Sequence, residues 1–391
     1  MRIFDSIPDL EQLRAVWYSW CHDPNADPDF YLAAARARPD FERPHVIVIY
    51  RGNTPDCMLV GRLEQTTLDL KLGYTTLFKP SVRRLFFVQG GFLGNQSQEN
   101  SEYLICSIMQ SLQKGEAHTA EFARQRIDST LYRTAKEVGF LQRGHFSPVH
   151  QHRSLRLPDT FDKFVRGMSR HNRHEFRRHE KQIADVPGAG QVHCYRSEDE
   201  VADLVREVEK VAKQTYQRGV GAGFRTDRET LEFLKVAARK GELRGCVMHI
   251  AAQPCAFFVG NRYKETFHGR FMGFDPRFAS YSPGLMVLMH SIEECFEPHT
   301  RATQMDFGWG DRRYKRAVCN EVWQDGPIYL YPVAWKGTIL NLARSLTSFL
   351  DLIAREIVSS STTLLKVKKA WQRCLTSASM PHFATELDLK K

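Results

Sequence analysis

Four side chains suited to acid–base chemistry lie close together in the segment MDFGWGDRRYK, residues 305–315. Asp306 and Asp311 could accept a proton from a reacting group. Tyr314 could donate a proton to a leaving group, and Lys315 could stabilise negative charge that develops in a transition state. The segment therefore carries candidate groups for accepting a proton, donating one and stabilising charge.

Each of these residues also has a structural interpretation. Asp311 is placed to cap the short helix predicted after it, and capping and catalysis explain it equally well. Asp306 ends a predicted strand, where a helix cap does not explain it, so a functional role is favoured. Lys315 could instead pair with an acid on the surface. Trp309 could form a wall of an acceptor site, or it could pack in the core.

A second candidate site is the start of the helix predicted after Tyr281. Ser282 is a favourable N-cap, and Pro283 suits the first helical position. The first turn contains no acidic residue, so no carboxylate covers its free backbone N–H groups, and Gly284 allows a ligand to approach them. Open helix N-termini bind anions. We therefore predict an anion site formed by Tyr281, Ser282, Pro283, Gly284 and Leu285.

Cationic side chains recur between residues 166 and 181 at the spacing of a helix. They are Arg166, Arg170, Arg173, Arg177 and Lys181, and their spacing places all five on one predicted helical face. A solvated surface is the usual explanation, but like charges in one line repel one another, which favours a polyanionic ligand. The candidates are an acceptor's pyrophosphate, a nucleotide sugar and the acceptor arm of a tRNA. A metal site at the histidines of this segment is not expected, because the neighbouring arginines oppose a cation.

The composition narrows the class of protein. A chain of 391 residues predicts about two domains. Its 55 Lys and Arg residues exceed its 45 Asp and Glu residues, and the net charge of +10 suits polyanionic partners. The nine cysteines form no CxxC pair, which argues against a zinc site or a disulfide framework and favours a reducing, cytosolic compartment. The sequence shows no signal-peptide pattern and no apolar run of about 18 residues that could span a membrane.

An internal repeat organises the elements that must position these residues. Two predicted hairpins, HVIVIYRGNTPDCMLVGRL and LRGCVMHIAAQPCAFFVGNRY, share one design. Each is followed by a further strand, a loop and a helix, then by the strands in AHTAEFARQ and ATQMDFGWG, and then by a short helix. The offset between the copies stays near 180–200 residues. The matching order favours duplication over chance agreement of common elements.

The two copies differ at the start of their long helices. The helix of the first copy begins NQSQENSEYL, and Glu99 and Glu102 near its start would repel an anion. Only the second copy leaves its helix start open. We therefore expect one copy to bind the ligand and the other to serve as a scaffold or acceptor platform.

The segments FDPRFASYSPGLMVLMHSIE and MDFGWGDRRYK together resemble the CelD/BcsL-type branch of the GNAT acetyltransferase superfamily. These proteins are duplicated GNAT folds related to the Fem aminoacyl transferases. The resemblance extends through FVRGMSRHNRHEFRRHEKQI, and it covers residues 160–335 well and residues 1–150 more weakly. One departure is that the usual GNAT Gln/Arg-x-x-Gly-x-Gly/Ala loop is reduced here to YSPG.

The resemblance implies a mixed α/β (α+β) fold with two tandem GNAT-like domains, each a twisted mixed sheet flanked by helices. The expected parts are a degenerate first domain at residues 1–150, a domain with the acyl-CoA site at 151–335 and a helical tail at 336–391.

The resemblance also implies a donor and an acceptor. Acetyl-CoA or another acyl-CoA would be the co-substrate, without a metal, and its pyrophosphate would lie on the helix after Ser282. Lys315 matches the Tyr/Phe-Lys of Fem-like proteins. The residues expected to bind the acceptor are Arg170, Arg173, Arg177 and Trp309.

The tail repeats apolar residues at helical spacing, at Ile339, Leu342, Leu346, Phe349, Ile353 and Ile357. The cations Lys366, Lys368, Lys369 and Arg373 follow. Packing of this helix on the body or on a partner subunit is favoured, and a helix on a membrane surface with a basic extension is the alternative.

The sequence thus predicts a cytosolic acyltransferase that moves an acyl group, most simply acetyl, onto an amine or hydroxyl. The expected acceptor is a sugar or sugar-lipid intermediate of envelope or exopolysaccharide synthesis, attacked directly in a ternary complex because no nucleophile motif is present. One alternative is a Fem-like transferase that uses aminoacyl-tRNA. Another is a non-catalytic factor that binds RNA or a membrane.

Overall fold

The computed structural model describes residues 1–360 except 73–74, 187–189, 216–217 and 219–222. Its strands are β1 Arg2–Phe4, β2 Phe41–Pro44, β3 Val46–Arg51, β4 Thr54–Thr67, β5 Leu70–Leu72, β6 Thr75–Phe78, β7 Ser81–Gly94, β8 Thr119–Arg126, β9 His150–Arg156, β10 Gln191–Tyr195, β11 Leu243–Ile250, β12 Gln253–Tyr263, β13 Thr266–Phe274, β14 Gln304–Trp309 and β15 Glu321–Leu330.

The α-helices are α1 Ile7–Leu10, α2 Arg14–Trp20, α3 Pro28–Ala37, α4 Gln98–Gln113, α5 Thr130–Glu137, α6 Phe161–Gly167, α7 Arg170–Ala184, α8 Val201–Ala212, α9 Arg228–Arg239, α10 Pro283–Glu294, α11 Arg313–Val318 and α12 Trp335–Ser360. Short 3₁₀ helices lie at Glu11–Leu13, Pro24–Ala26, Phe140–Gln142 and Pro276–Tyr281. Most helices begin where the sequence supplies an N-cap, as at Asp27, whose carboxylate accepts from the backbone N–H groups of Asp29 and Phe30.

One mixed sheet runs through the described part of the chain in the order β1-β3-β4-β7-β8-β15-β9-β14-β13-β12-β11-β10, with β2 paired to β4. β5 and β6 form a separate two-stranded sheet. The central strands are almost continuously apolar, as in Val46–Ile49, because helices cover both of their faces. The mixed α/β fold that the sequence predicts is therefore confirmed.

The predicted repeat is visible in the sheet. The first half contains β3-β4-β7-β8 side by side, and the second half contains β11-β12-β13-β14 in the same order. In both halves only the last pair is parallel, β7 with β8 and β13 with β14. The halves are interlocked, since β15, which follows β14 in the second half, pairs with β8 of the first half. The boundaries at residues 150 and 335 remain a prediction.

The halves also share one hydrophobic core. Phe30 of α3 stacks on Phe233 of α9, with ring centroids 4.6 Å apart. Asp27 is fully buried, and its carboxylate accepts from the Tyr263 hydroxyl at 2.9 Å and from the Lys240 ammonium at 3.0 Å. The buried charge is thus paired and hydrogen-bonded, as burial requires. These contacts fix the two halves relative to each other on either side of a shared cavity.

Two sequence predictions need correction at the level of the fold. The basic stripe does not lie on one helix, because α6 ends at Gly167 and Ser169 caps a separate helix α7, which leaves Arg166 apart from the other four residues. Cys194 of β10 and Cys246 of β11 face each other across the strand pair and form a disulfide, although no framework was predicted. Strand register brings these two together, and their separation of 52 residues in sequence gave no indication of it.

Helix α12 begins as predicted, but its apolar stripe is not packed on the body. Ile339, Leu342 and Leu346 are more than half exposed. The residues beyond Ser360, including the predicted basic extension, lie outside the described residues. Within the described part, no helix combines the length and apolar character needed to cross a membrane.

Candidate active site

The candidate site begins where two parallel strands separate. β13 and β14 pair only over Thr266–His268 and Gln304–Asp306. Beyond these residues β13 stays with β12, whereas β14 stays with β9, with an irregularity in that pairing between Asp306 and Trp309. Gly308 and Gly310 have φ angles of +64° and +103°, which L-residues with a side chain rarely adopt. The divergence exposes strand edges between which an extended ligand can bind.

Helix α10 follows β13 and starts without a side-chain cap. Pro283 is the first residue, as predicted, but Ser282 has a left-handed φ of +49° and its hydroxyl makes no capping bond. Its Oγ lies 3.0 Å from Nε2 of His179 on α7 instead. The Ser282 carbonyl accepts from the N–H groups of Leu285 and Met286, so the opening at this helix start is smaller than the sequence suggested. Ser282 thus occupies the predicted N-cap position, but its side chain does not cap the helix.

The predicted role of Gly284 also needs revision. A Cβ at this position would lie 3.2 Å from the Phe274 ring and 3.5 Å from Cε of Met272. The glycine is buried and allows helix α10 to pack closely on β13, rather than leaving open space for a ligand. A substitution at Gly284 would therefore disturb packing as well as anion binding.

The corresponding helix of the first half has a capping side chain, and an acid lies in its first turn as the sequence predicts. The Ser97 hydroxyl accepts from the backbone N–H of Asn100 at 3.2 Å, and Glu99 in the first turn pairs with Arg51. A carboxylate already occupies the favourable position at this helix dipole. Of the two copies, only α10 lacks both a capping side chain and a first-turn acid.

Asp306 lies at the point where β13 and β14 separate, and it is held by an imidazole. Its Oδ1 is 2.7 Å from Nε2 of His152 and accepts from the Gly308 backbone N–H at 2.6 Å. His152 is almost fully buried, and its Nδ1 is 2.6 Å from Oδ2 of Asp325. The hydrogen bonds from His152 lower the pKa of Asp306, although burial opposes them. β14 continues beyond Asp306 to Trp309, so the predicted strand end is also corrected.

The two carboxylates make His152 an imidazolium at neutral pH. Burial disfavours the charged form, but the hydrogen bonds that His152 donates to Asp306 and Asp325 raise the pKa of His152 to about 9. A carboxylate that is bound to an imidazolium and has a lowered pKa is a weak proton acceptor. The contacts of Asp306 therefore do not favour the role of general base that the sequence suggested.

His268 is the base candidate that sequence reasoning missed. It lies on β13 beside Asp306, with Nδ1 3.8 Å from Oδ2 of that residue. Burial lowers the pKa of His268, so its ring is neutral at pH 7 and can accept a proton. Its Nε2 is buried and has no hydrogen-bond partner in the described structure. Buried polar atoms without a partner are rare, so this nitrogen is a candidate for contact with a substrate or a water.

The raised pKa of His152 makes the free energy of unfolding depend on pH, and this dependence can be measured. Because the pKa of His152 is raised by folding, its stabilisation is fully present below about pH 6.5 and is lost as the pH rises through about 9. We expect the free energy of unfolding to fall by about 2 kcal/mol between roughly pH 7 and pH 9. Urea unfolding of the wild type and of His152→Gln at several pH values measures the effect.

The His152→Gln variant distinguishes the contribution of His152 to this pH dependence from the contributions of other titrating groups. Lys315, with its pKa lowered to about 8, contributes in the opposite direction above that pH in both proteins. The decline with pH should therefore be steeper in the wild type than in His152→Gln. Equal slopes in the two proteins would show that His152 is not held as an imidazolium.

The other three predicted catalytic residues follow the end of β14 in the chain, and none of them lines the cavity described below. Lys315 is 5% exposed, and its ammonium donates to the carbonyl oxygens of Phe307, Gly308 and Trp309. All three of its donors are thus used to hold the bent end of β14. The geometry therefore corrects the predicted role of Lys315, since no donor remains for a substrate.

Asp311 and Tyr314 do not line the cavity. Asp311 is exposed, pairs with Arg153 at 2.7 Å and does not cap α11, whose N-cap is Arg312. The capping interpretation of Asp311 is therefore wrong, and the ion pair explains its position without catalysis. The Tyr314 ring packs edge-on against Phe307, with centroids 6.3 Å apart. Its predicted role as a proton donor stays a prediction.

A cavity of about 510 Å³ lies between the two halves, and His268 and Asp306 form part of its wall. Four arginines also line it, and two of them are paired. Arg38 binds Asp40 and Glu229, and Arg62 binds Glu64.

The remaining two arginines of the cavity are Arg124 and Arg270, and in the described structure their side chains donate to amides rather than to carboxylates. Arg124 donates to Gln89 and lies over the Trp309 ring, while Arg270 donates to Asn25 and lies over the Phe233 ring. Burial lowers the pKa of both guanidinium groups, that of Arg270 to about 10, so both remain charged at neutral pH. Two cations in one cavity without an ion-pair partner are suited to an anionic ligand.

The predicted acceptor residues are divided between two places. Trp309 does not line this cavity, but its ring lies under Arg124, which does, and its Nε1 donates to Asp325. Arg170 and Arg177 are exposed on α7, which packs against α10 and the preceding 3₁₀ helix. Arg173 donates to the Arg166 carbonyl oxygen. The basic helix therefore borders the predicted donor site, while the unpaired arginines of the cavity are closer to Asp306.

One group of side chains in the described structure could in principle hold a metal ion. Ligand atoms of Cys194, Cys246 and His290 lie within 4.8 Å of one another. The two sulfurs are joined as a disulfide, and a disulfide supplies no thiolate ligand. None of these residues lines the cavity.

Comparisons with known proteins match part of the chain to a family. Residues 170–316 match the family described as "Acetyltransferase (GNAT) domain". No curated protein matches the sequence.

Among solved structures, FemX has a similar fold, with a TM-score of 0.57 at 10% identity over 84% of this chain and 97% of FemX. A conserved protein of unknown function from Bacteroides thetaiotaomicron follows, with a TM-score of 0.50 at 11% identity over 84% of this chain and 99% of that one. The C-terminal domain of a putative lysylphosphatidylglycerol synthetase from Agrobacterium fabrum gives 0.49 at 10% identity, covering 87% of this chain and 96% of that domain.

Proposed function

We propose that this enzyme, an acyltransferase whose residues 170–316 form a GNAT-type domain, moves an acyl group from acyl-CoA to an amine or hydroxyl of an anionic acceptor. The observation that carries the proposal is the cavity between the halves, which is lined by a neutral histidine and by two arginines that pair with no carboxylate among the described residues. Its volume of about 510 Å³ is sufficient for a sugar that carries a phosphate or carboxylate.

In the proposed geometry the donor lies between the separated strands, with its pyrophosphate at the start of α10. The strand edges of β13 and β14 lead from that helix start to His268 and Asp306, where the thioester would meet the acceptor. An extended donor can satisfy the open backbone groups of these strands as a neighbouring strand would. The α10 start, with no capping side chain and no acid in its first turn, favours the negative charge of the pyrophosphate.

The acceptor would be oriented by its charge. Arg124 and Arg270 bind the anionic group, which places the attacking amine or hydroxyl near Nε2 of His268. His268 accepts the proton of the nucleophile as the new C–N or C–O bond forms at the thioester carbonyl. The C–S bond then breaks, and the CoA thiolate takes a proton from Tyr314 or from water. Asp306 and Asp23 act electrostatically on His268 and stabilise the imidazolium that forms.

The narrower assignments from the sequence are part of the same proposal. We propose acetyl as the acyl group, a sugar or sugar-lipid intermediate of envelope or exopolysaccharide synthesis as the acceptor, and membership of the CelD/BcsL-type branch. We also propose the cytoplasm as the place of reaction, with division of the chain at residues 150 and 335. The non-catalytic alternative is not retained, because the matched domain is that of an acetyltransferase.

A Fem-like transfer from aminoacyl-tRNA is the second candidate. The similarity of the fold to FemX and the exposed cations of α7 beside α10 favour it, since a tRNA acceptor arm would need a basic surface near the donor site. In this mechanism the cavity and His268 would keep their roles, and only the donor would differ.

Thiol release measured with the purified chain tests the first proposal against the second. The probes are acetyl-CoA with an amino sugar that carries a phosphate, and acetyl-CoA with the same sugar without it. Acceptor-dependent thiol release that is faster with the phosphorylated sugar supports CoA-dependent transfer. Transfer from a charged tRNA without any thiol release would assign the enzyme to the Fem-like mechanism instead.

A further inference from the structure

Helix α12 has its polar and apolar sides in the reverse of the usual arrangement. Its side towards the body carries Asn341 and Ser345, which are 3% and 9% exposed. Its side towards solvent carries the α12 apolar face, which we define as Ile339, Leu342, Leu346, Phe349 and Ile353, all at least 39% exposed. A helix at a water-exposed surface normally buries its apolar side and exposes its polar side.

The inner side of the helix is fixed by specific hydrogen bonds, so it cannot simply turn over. The Asn341 amide donates to the carbonyl oxygens of Leu141 and Arg143, both at 2.9 Å. The Ser345 hydroxyl accepts from the backbone N–H of His145 at 3.2 Å. Leu340 packs against the small cluster that contains Leu68 and Val82. The outward direction of the apolar face is therefore determined by the fold.

Neighbouring elements extend the same apolar surface. Phe140 and Phe146, from the segment between α5 and β9, are 67% and 53% exposed. Together with Leu342, Leu346 and Phe349 they line an apolar groove of about 320 Å³. Large apolar side chains rarely collect on the surface of a soluble monomer without a binding partner.

Charge in the chain that follows favours a lipid surface as that partner. Residues 357–385 contain Lys366, Lys368, Lys369 and Arg373 and not one Asp or Glu. A segment with cations and no acids immediately after an apolar helical face matches an anionic bilayer, which supplies an apolar interior and a negatively charged surface together. Trp335 and Lys336 at the start of α12 are both exposed and belong to the residue types that anchor helices at the bilayer interface.

We propose that the α12 apolar face lies in the surface of a membrane that contains anionic lipids, parallel to its plane, while the basic segment after Ser360 binds the lipid headgroups. This inference concerns binding alone and does not depend on the donor or acceptor of the reaction. A second copy of the chain or another protein on this face would be a different outcome of the test.

Vesicle flotation tests the proposal with the full chain. We expect the wild type to float with vesicles of phosphatidylcholine that contain about one third phosphatidylglycerol, and to bind pure phosphatidylcholine roughly fivefold more weakly for each cation engaged. Leu342→Gln/Leu346→Gln removes two exposed leucines and should weaken binding to both kinds of vesicle by at least about tenfold. Because both side chains face solvent, the variant should keep the far-UV circular dichroism and melting temperature of the wild type.

Two further variants test whether binding depends on the α12 apolar face and on the basic segment specifically. Tyr103→Gln is the control, because Tyr103 lies on α4, outside the α12 apolar face, and is about as exposed as Leu342 and Leu346. This variant should float like the wild type. Lys366→Gln/Lys368→Gln/Lys369→Gln should bind anionic vesicles only as weakly as pure phosphatidylcholine, because it keeps the apolar face and loses the attraction to the headgroups. A wild type that stays with the soluble fraction would overturn the proposal, and so would equal flotation of the double leucine variant. A wild-type dimer that this variant dissociates, without vesicle binding, would assign the face to a second copy.

Discussion

His268→Gln is expected to lower kcat by about 100- to 10,000-fold, the usual contribution of a general base. Glutamine has a similar length and can still donate and accept hydrogen bonds, but it cannot take up a proton. The readout is thiol release with acetyl-CoA and a phosphorylated amino sugar, both saturating. The KM for each substrate should change by much less than kcat, since the ring acts on the proton of the nucleophile and the arginines bind the acceptor.

Asp306→Asn is the informative comparison, because the sequence favoured Asp306 as the base. If His268 is the base, Asp306→Asn removes a negative charge 3.8 Å from its ring and further lowers the pKa of the imidazole. The loss of kcat should then be smaller than in His268→Gln, and the acidic limb of the pH–rate profile should move to lower pH. A near wild-type rate in His268→Gln together with a severe loss in Asp306→Asn would restore Asp306 as the base.

Arg124→Gln/Arg270→Gln should raise the KM of a phosphorylated acceptor by about 100-fold, because each guanidinium loses a charge-assisted hydrogen bond to the anion. Glutamine can keep a hydrogen bond to Gln89 or Asn25, so the cavity wall should be preserved. The KM of acetyl-CoA should change little, since its pyrophosphate lies at α10 in our proposal. Steady-state rates at varied acceptor and saturating acetyl-CoA give the comparison.

Arg170→Gln/Arg177→Gln is the matched control for this pair. It also removes two arginines, but from the exposed surface of α7. We expect an unchanged acceptor KM and, if α7 contributes to the donor site, a weaker affinity for acetyl-CoA or tRNA. The acceptor KM could instead rise in this control and stay unchanged in Arg124→Gln/Arg270→Gln. That result would show that the acceptor binds to the cations of α7, as the sequence predicted.

Local patterns in the sequence were sufficient to predict most elements of the fold. The hairpin of β3 and β4 follows from two apolar runs and the turn residues between them, which act within a few residues. The order of the repeated elements was also predictable, because it is a property of the chain rather than of its packing. The exposure of the apolar face of α12 was not predictable, since periodicity identifies an apolar face but not whether tertiary contacts turn it towards the body or towards solvent.

The candidate site was predicted less well, for a physical reason. Asp306 and the start of α10 were found because each lies in a recognisable local pattern. His268 has no such pattern in TFHGRFMGF, and its significance arises from Asp306 and Asp23, which are distant in sequence. Lys315 was misjudged because only the bent backbone of β14 shows that its three donors are used. Arg124 and Arg270 were missed because ion pairing, or the lack of it, depends on the packing of both halves.

Native mass spectrometry of the full chain with acetyl-CoA tests most directly whether an acyl-CoA binds at the start of α10. Ser282→Asp places a carboxylate at that helix start, where Asp tolerates the left-handed φ and can still pair with His179, so the fold should be kept. Ser97→Asp makes the same change at the corresponding helix of the first half. We expect one bound acetyl-CoA in the wild type and in Ser97→Asp, with affinity at least about tenfold weaker in Ser282→Asp. Equal binding by all three proteins, or binding by none, would contradict this expectation.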